Sequence, residues 1–196
     1  MTRSVTLARI AGAVLSLSAA GALGACGSSS STTTARSPTR AASRGVTLAS
    51  GCRASHATDQ VLNTATHVFL LHVGPPETMV MRGEAQASHI KSGEVMIGGS
   101  MAEMSSAAGM SMRHLEVHIC DRASGKVVAN TVPTITLDRS PGGKPEQVPV
   151  MVMEGIGAGT GDLHYGNNVP LHPVASYVVT VRLGADRAVF RFTSAR

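Results

Sequence analysis

The sequence predicts an all-β fold, an immunoglobulin-like antiparallel β-sandwich that follows a disordered N-terminal region. From about residue 66 the chain consists of short β-branched and apolar runs, separated by glycine, proline and charged turn residues. In that part no segment of about twelve residues or more has a helical period. Six to eight short strands joined by turns are typical of a two-sheet sandwich.

The predicted strands follow one another closely along the chain. They cover residues 66–73, 92–99, 113–120, 131–138, 148–155, 175–183 and 187–193. Residues 113–129 are predicted to form a hairpin, and Gly184-Ala185-Asp186 to form the turn of the last hairpin. Residues 74–90 are predicted to be a loop or a short irregular segment, and residues 99–112 a methionine-rich loop.

The first 25 residues are predicted to be a secretory signal peptide. Arg3 and Arg9 precede a short apolar run of small residues that is too short for a confident membrane span. The run ends in Leu23-Gly24-Ala25-Cys26, which resembles the lipobox of bacterial lipoproteins. We therefore expect Cys26 to carry lipid and to anchor the protein in the outer face of the bacterial cytoplasmic membrane.

Residues 26–45 are predicted to be the lipidated cysteine and a disordered tether, because they are rich in Ser, Thr and Arg and have few apolar side chains. Residues 46–196 then form the β-sandwich domain. Five of the 17 Lys and Arg residues and none of the 12 acids precede residue 45, which leaves 12 of each in the domain. This neutral domain, with few aromatic residues, argues against a nucleic-acid partner.

The three cysteines divide into one lipid site and one candidate pair. With Cys26 acylated, Cys52 and Cys120 remain in an oxidising compartment, where a disulfide is the favoured state. The alternative is that Cys120 is a thiolate metal ligand and that Cys52 is free.

Methionines are concentrated in one irregular part of the sequence, which is unusual for residues that fill apolar cores. Thioethers prefer soft metals such as Cu(I), and imidazole also suits copper. Met151 and Met153, in contrast, lie in a predicted strand and are expected to fill the core. The concentrated methionines are Met79, Met81, Met96, Met101, Met104, Met110 and Met112.

Four histidines lie where a metal site could use them. His114 and His118 flank Glu116 on the polar face of the alternating strand RHLEVHIC, about 7 Å apart from one member to the next. One strand cannot chelate an ion alone, so further ligands must come from other strands. His72, at the end of another predicted strand, and His164, at a predicted turn, are the candidates. The remaining histidines are expected to be surface or structural residues.

Two motifs carry a resemblance to a known family. The strand HLEVHI (114–119) and the strand VPVMVMEG followed by HYGNNV (164–169) resemble segments of the periplasmic P19/Tp34 family, which is associated with bacterial high-affinity iron uptake. A third similarity is the closing strand after PLHPVASYVVTV. The resemblance implies an immunoglobulin-like sandwich, often dimeric, with a copper site of His, Met and an acid and a nearby place for iron.

Carried over by motif, the resemblance implies that His114 and His164 are copper ligands and that Met110 or Met104 supplies the thioether. Where the family has an acidic ligand, this chain has His72. That departure favours copper and puts the iron chemistry in doubt. A turn at 166–168 is expected to aim His164, with Tyr165 packed beneath it.

The sequence therefore predicts a lipid-anchored metal-binding protein, with copper as the first candidate and iron as the second. Its role would be metal uptake, storage or tolerance, with a membrane metal permease and a second copy of the chain as candidate partners. No nucleophile motif is present, so an enzyme is not expected. The alternative is a structural or interaction domain of the cell envelope that binds no metal.

Overall fold

The computed structural model describes residues 46–87, 90–100 and 102–195. The signal peptide, Cys26 and the tether fall within residues 1–45 and lie outside the described residues. Among the residues described, no helix has the length and apolar character needed to cross a membrane. The strands and the one α-helix are β1 (Gln60–Asn63), β2 (His67–Gly74), β3 (Met79–Met81), α1 (Arg82–Ala87), β4 (Glu94–Gly99), β5 (Ser111–Asp121), β6 (Thr134–Ser140), β7 (Glu146–Gln147), β8 (Met151–Gly155), β9 (His164–Leu171), β10 (Ser176–Leu183) and β11 (Asp186–Thr193).

The strands form two sheets packed as a β-sandwich, which confirms the predicted fold class. The larger sheet has the order β1-β2-β5-β9-β8-β4-β3, and the smaller has the order β11-β10-β6-β7. Neighbouring strands of the described chain run antiparallel, except that β3 and β4 are parallel. The larger sheet carries the polar residues of interest.

The alternation of β5 separates the apolar core from the polar face. Leu115, Val117 and Ile119 are fully buried in the core between the sheets. His114, Glu116 and His118 therefore project from the opposite face of the larger sheet, here called the outer face. This separation is as the sequence predicted.

A disulfide holds the N-terminal part of the domain over this outer face. Cys52, in the 3₁₀ turn Ser50–Cys52, is bonded to Cys120 of β5. Gly51 lies against the ring of His118, so closely that a Cβ atom there would overlap Nδ1. The Ser50 hydroxyl donates to the carbonyl of Gly161 at 3.1 Å. The predicted disulfide is thus present, and a thiolate role for Cys120 is excluded.

The predicted hairpin over residues 113–129 is only partly formed. Beyond β5, Val127 makes a single bridge to Cys120, and the N–H of Val128 donates to the carbonyl of Ile119 at 2.8 Å. The carbonyl of Val128 accepts a hydrogen bond from the Tyr165 hydroxyl. The chain then crosses to the smaller sheet, so a second full strand does not form beside β5.

The irregular segment predicted over residues 74–90 contains regular structure, and this prediction was wrong for residues 79–87. Met79–Met81 forms edge strand β3, with Val80 buried. Helix α1 follows at once, and the Glu84 carboxylate accepts the N–H of Met81 at 3.0 Å near its start. Elements this short give no periodic signal in a sequence.

The turn predicted at residues 166–168 was also wrong, because His164–Leu171 is a continuous strand. Among the described residues, the one non-glycine with positive φ is Val174, so Asn167 and Asn168 are extended. Gly, Asn and Asn favour turns locally. Here pairing with β5 on one side and β8 on the other overrides that preference.

Replacing both Cys52 and Cys120 by serine is expected to lower the free energy of unfolding by about 2–5 kcal/mol, because the bond closes a long loop in the unfolded chain. The two cysteines are 68 residues apart. Urea unfolding of the oxidised protein and of the double variant measures the difference. Equal midpoints would show that the bond does not hold the domain together.

Candidate metal centre

Strands β5 and β9 bring three histidines together on the outer face. In their register His114 pairs with Asn168, and Glu116 pairs with Gly166. The ring centre of His164 lies 5.9 Å from that of His114 and 5.1 Å from that of His118. The candidate histidines 114, 118 and 164 therefore do meet, as the sequence suggested.

Glutamates complete two overlapping groups of potential metal ligands. Glu94, His114 and His164 form one group, and in each group one ligand atom per residue lies within 4.8 Å of the others. The second group contains His164 with Glu116 and His118. His164 belongs to both, so these five residues make a single cluster, here called the His/Glu cluster.

Several ligand atoms of the cluster are buried without a hydrogen-bond partner. They are Nε2 of His114, Nε2 of His164, Nδ1 of His118 and Oε2 of Glu94. His164 Nε2 and Glu94 Oε2 are 3.3 Å apart, so these two atoms can share a proton when the Glu94 carboxyl group is neutral. A buried polar atom without a partner costs about 1–3 kcal/mol. A metal ion would satisfy such atoms, so the residues present fit one.

Hydrogen bonds at the far side of two rings decide which nitrogen carries the proton. Nδ1 of His164 lies 2.9 Å from the carbonyl oxygen of Asp162, which can only accept. Nδ1 of His114 lies 3.0 Å from Oδ1 of Asn168. Both Nδ1 atoms therefore donate, and in the neutral rings each Nε2 keeps its lone pair.

The orientation of Asn168 is itself fixed by the backbone of Glu77. Its Oδ1 accepts the N–H of Glu77 at 3.1 Å, and its Nδ2 donates to the Glu77 carbonyl at 2.9 Å. This two-point contact leaves no choice of amide orientation. Asn168 thus holds the His114 ring from behind, as outer partners of metal-binding histidines do.

Burial and charge push the titratable groups of the cluster in different directions. Burial, with repulsion from Glu116, Asp162 and Glu77, raises the pKa of Glu94 to about 8. Burial also lowers the pKa of His164 to about 4 and lowers that of His114. At pH 7 both imidazoles are therefore neutral, which is the form that binds metal.

Glu116 is the ionised carboxylate of the cluster. Burial acts to raise the pKa of Glu116, but the hydrogen bond with His118 and the nearby imidazoles outweigh it and lower the pKa to about 2. Its Oε2 is 3.4 Å from Nε2 of His118. The cluster thus combines one charged and one neutral carboxyl group at pH 7.

Two methionines border the cluster, and they are not those that the sequence favoured. Met153 pairs in register with His164, and Met151 pairs with Gly166. Residues that pair directly project from the same face, so both thioethers share the outer face with the cluster. Both are buried, yet neither belongs to the apolar core between the sheets. The prediction that they are buried strand residues is confirmed, although they pack on the outer face and not between the sheets.

The loop methionines chosen from the sequence lie elsewhere. Met104 is buried in the apolar core, among residues of both sheets. The sulfur of Met110 accepts the N–H of Ala107 at 3.2 Å, within its own loop. Met104 therefore lies on the core side of the larger sheet and not on its outer face.

His72 lies beside the cluster without joining either group. It pairs in register with Glu116, and its Nδ1 is 2.7 Å from Oδ1 of Asp59. His56 packs against it, with ring centres 4.6 Å apart. These side chains line a polar cavity of about 320 Å³ that also reaches Glu116, His118 and Asp162. His72 thus lines the same cavity as Glu116 and His118 and belongs to neither group of potential ligands.

Sequence reasoning missed Glu94, Asn168 and the two strand methionines. Glu94 opens strand β4, far along the chain from the histidines, and no local spacing connects it to them. Asn168 was assigned to a turn. The signal that could have found Met151 and Met153 is their alternation in VPVMVMEG, which puts both on one face of a strand.

Comparison of this chain with known protein families, with curated proteins and with solved structures finds no match.

Glu94→Gln is expected to stabilise the metal-free protein increasingly as pH rises from 6.5 to 8. The folded pKa of Glu94 is about 8 against an ordinary 4.5, so the native state loses stability as pH rises through this window. His164 has a lowered pKa, and it affects stability below its ordinary 6.5. Glutamine does not titrate, so the difference in free energy of unfolding between Glu94→Gln and the wild type should grow by at most about 1.4 kcal/mol per pH unit.

The measurement is urea unfolding with a strong chelator present, at several pH values. Glu154→Gln, on the neighbouring strand β8, is the matched control. Parallel pH profiles for wild type and Glu94→Gln would contradict the assignment of a neutral, buried Glu94.

Proposed function

We propose that the protein binds a copper ion through His114, His164 and Glu94, and that it serves metal uptake, storage or tolerance. The observation that carries the proposal is the set of buried ligand atoms without partners, two of them imidazole nitrogens whose lone pairs are fixed by hydrogen bonds behind the rings. A metal ion would convert this costly arrangement into a stabilising one.

The donor set favours copper over harder metals. Two neutral imidazoles suit Zn, Cu, Fe and Ni, whereas Mg and Ca prefer sites built from oxygen. The thioethers of Met151 and Met153 on the same face add soft donors, which select copper in its reduced state. Iron is the second candidate, supported by the imidazole and carboxylate ligands alone.

The second group of ligands would balance the charge of the ion. Glu116 is ionised and lies within reach of His164, and His118 holds it from the other side. A buried cation needs such a compensating charge. Binding would also drive the proton from Glu94, so metal affinity would rise with pH up to about 8.

The lipobox-like Leu23–Cys26 and the tether support a place on the outer face of the bacterial cytoplasmic membrane. The resemblance of the HLE and HYGNN motifs to the P19/Tp34 family supports a role in metal acquisition, with a membrane permease as a partner and a homodimer as the assembly. A binding role, rather than a catalytic one, agrees with the burial of Glu94, His114 and His164. An envelope domain without metal would leave the unpartnered ligand atoms unexplained.

His114→Ala/His164→Ala is expected to abolish tight copper binding, because it removes both oriented imidazoles. Competition against a chromophoric chelator, with Cu(I) under anaerobic conditions and separately with Cu(II), measures the affinity. His172→Ala is the matched control, since that histidine follows β9 and lies outside the cluster. Retained stoichiometric binding in the double variant would refute the proposed site.

Asn168→Ala is expected to weaken metal binding by about 10–100-fold while leaving all ligands in place, because the His114 ring loses the acceptor that fixes its proton. Asn168→Asp keeps an oxygen that can accept the His114 Nδ1–H but loses the N–H donated to the Glu77 carbonyl, so it should restore only part of the affinity. The same chelator competition measures both. A purely structural role of Asn168 predicts instead that alanine lowers thermal stability and leaves the affinity of the folded fraction unchanged.

A further inference from the structure

A row of methionines crosses the larger sheet from its exposed edge to the His/Glu cluster. Met81 on edge strand β3 pairs in register with Met96 on β4. Met96 in turn pairs with Met153 on β8. Met153 pairs with His164 on β9. Since directly paired residues project from the same face, the three thioethers and the imidazole form one continuous row.

Exposure falls steadily along this row. The Met81 residue is 44% exposed, whereas Met153 is 0% exposed, and Met96 lies between them in burial as it does in position. Met81 and Met96 line an open groove of about 660 Å³, together with Ile97, three glycines and Arg82, whose guanidinium lies 3.7 Å from the Glu154 carboxylate. The exposure of Met81 shows that solvent reaches the outer end of the row.

Packing does not account for Met81. Methionine fills irregular gaps in apolar cores, but a side chain this exposed fills none. Its neighbour Met96 stands on a strand about 4.8 Å away, so the flexible side chains can bring both sulfurs to one ion. Two adjacent thioethers open to solvent are suited to a soft monovalent cation.

We propose that Met81 and Met96 form a second metal site, which takes Cu(I) from solution or from a donor and passes it through Met153 to the His/Glu cluster. At each step one thioether bond to the ion is replaced by the next, and the oxidation state does not change. The exposed site stands on its own, whereas the transfer rests on the proposed function of the cluster.

Methionine methyl resonances test the exposed site directly. The full chain, labelled at the methionine methyl carbons, is titrated with Ag(I), which mimics Cu(I) without redox chemistry. The signals of Met81 and Met96, assigned from the Met81→Leu and Met96→Leu variants, are expected to shift together. Met112 is the control, since it is 37% exposed and pairs with Pro170 rather than with another methionine. An equal shift of Met112, or none at Met81 and Met96, would overturn the site.

The same titration in His114→Ala/His164→Ala separates this site from the central one. In this double variant the resonances of Met81 and Met96 should still shift with Ag(I), although the His/Glu cluster no longer binds an ion. The two sites can therefore be refuted independently of each other.

Transfer is tested by the rate at which Cu(I) moves from a chelate to the protein. Met81→Leu/Met96→Leu should load the cluster several-fold more slowly and reach the same final affinity, because leucine keeps the volume and removes the sulfur. Met112→Leu should load at the wild-type rate. Equal rates in all three proteins would overturn the transfer step.

Discussion

The pairing of β5 with β9 is the constraint on which the centre depends. Gly166 sits opposite Glu116, and its backbone approaches Leu115 so closely that a Cβ atom would overlap the Leu115 carbonyl oxygen. This close approach fixes the register, and the register places His164 within reach of His114 and His118. A shift by one residue would turn every one of these side chains to the other face of the sheet. The apolar residues between them would then leave the core.

The same alternation explains the motif HYGNN. On β9, Tyr165 and Asn167 face inward, and His164 and Asn168 face outward. Asn167 donates from Nδ2 to the carbonyls of Ala102 and Pro149, so it ties the methionine-rich loop and the start of β8 to the strand. Asn168 orients His114. The two adjacent asparagines thus serve opposite faces of the sheet, and one strand orients the candidate metal ligands and also anchors the methionine-rich loop.

The fold class and the polar face of β5 could be predicted from the sequence, because both depend on local periodicity. The alternation of RHLEVHIC placed His114, Glu116 and His118 on one face, and the two cysteines that remain beside the lipobox-like Cys26 indicated the disulfide. The site residues and the extended segment that the sequence did not predict depend on pairing between strands that are far apart along the chain. Glu94 lies close to His164 only because β4 pairs with β8 and β8 pairs with β9, and neither pairing can be read from the sequence. The Gly-Asn-Asn run has the composition of a turn, and only its two partner strands make it extended. Met104, assigned to metal from its loop, lies in the core because loop packing has no sequence period.

The disulfide-bonded 3₁₀ turn over the outer face helps to explain how the fold tolerates buried polar atoms without hydrogen-bond partners. Buried ligand atoms without partners, such as Nε2 of His114 and Nδ1 of His118, cost about 1–3 kcal/mol each, which is a sizeable part of the stability of a domain this size. The Cys52–Cys120 bond offsets such a cost by restricting the unfolded chain, and it presses Gly51 onto His118. Neutral Glu94 and the neutral imidazoles reduce the charge that must be buried before an ion arrives. The domain thus holds the potential ligand atoms of the cluster close together, so they would need little rearrangement to hold an ion.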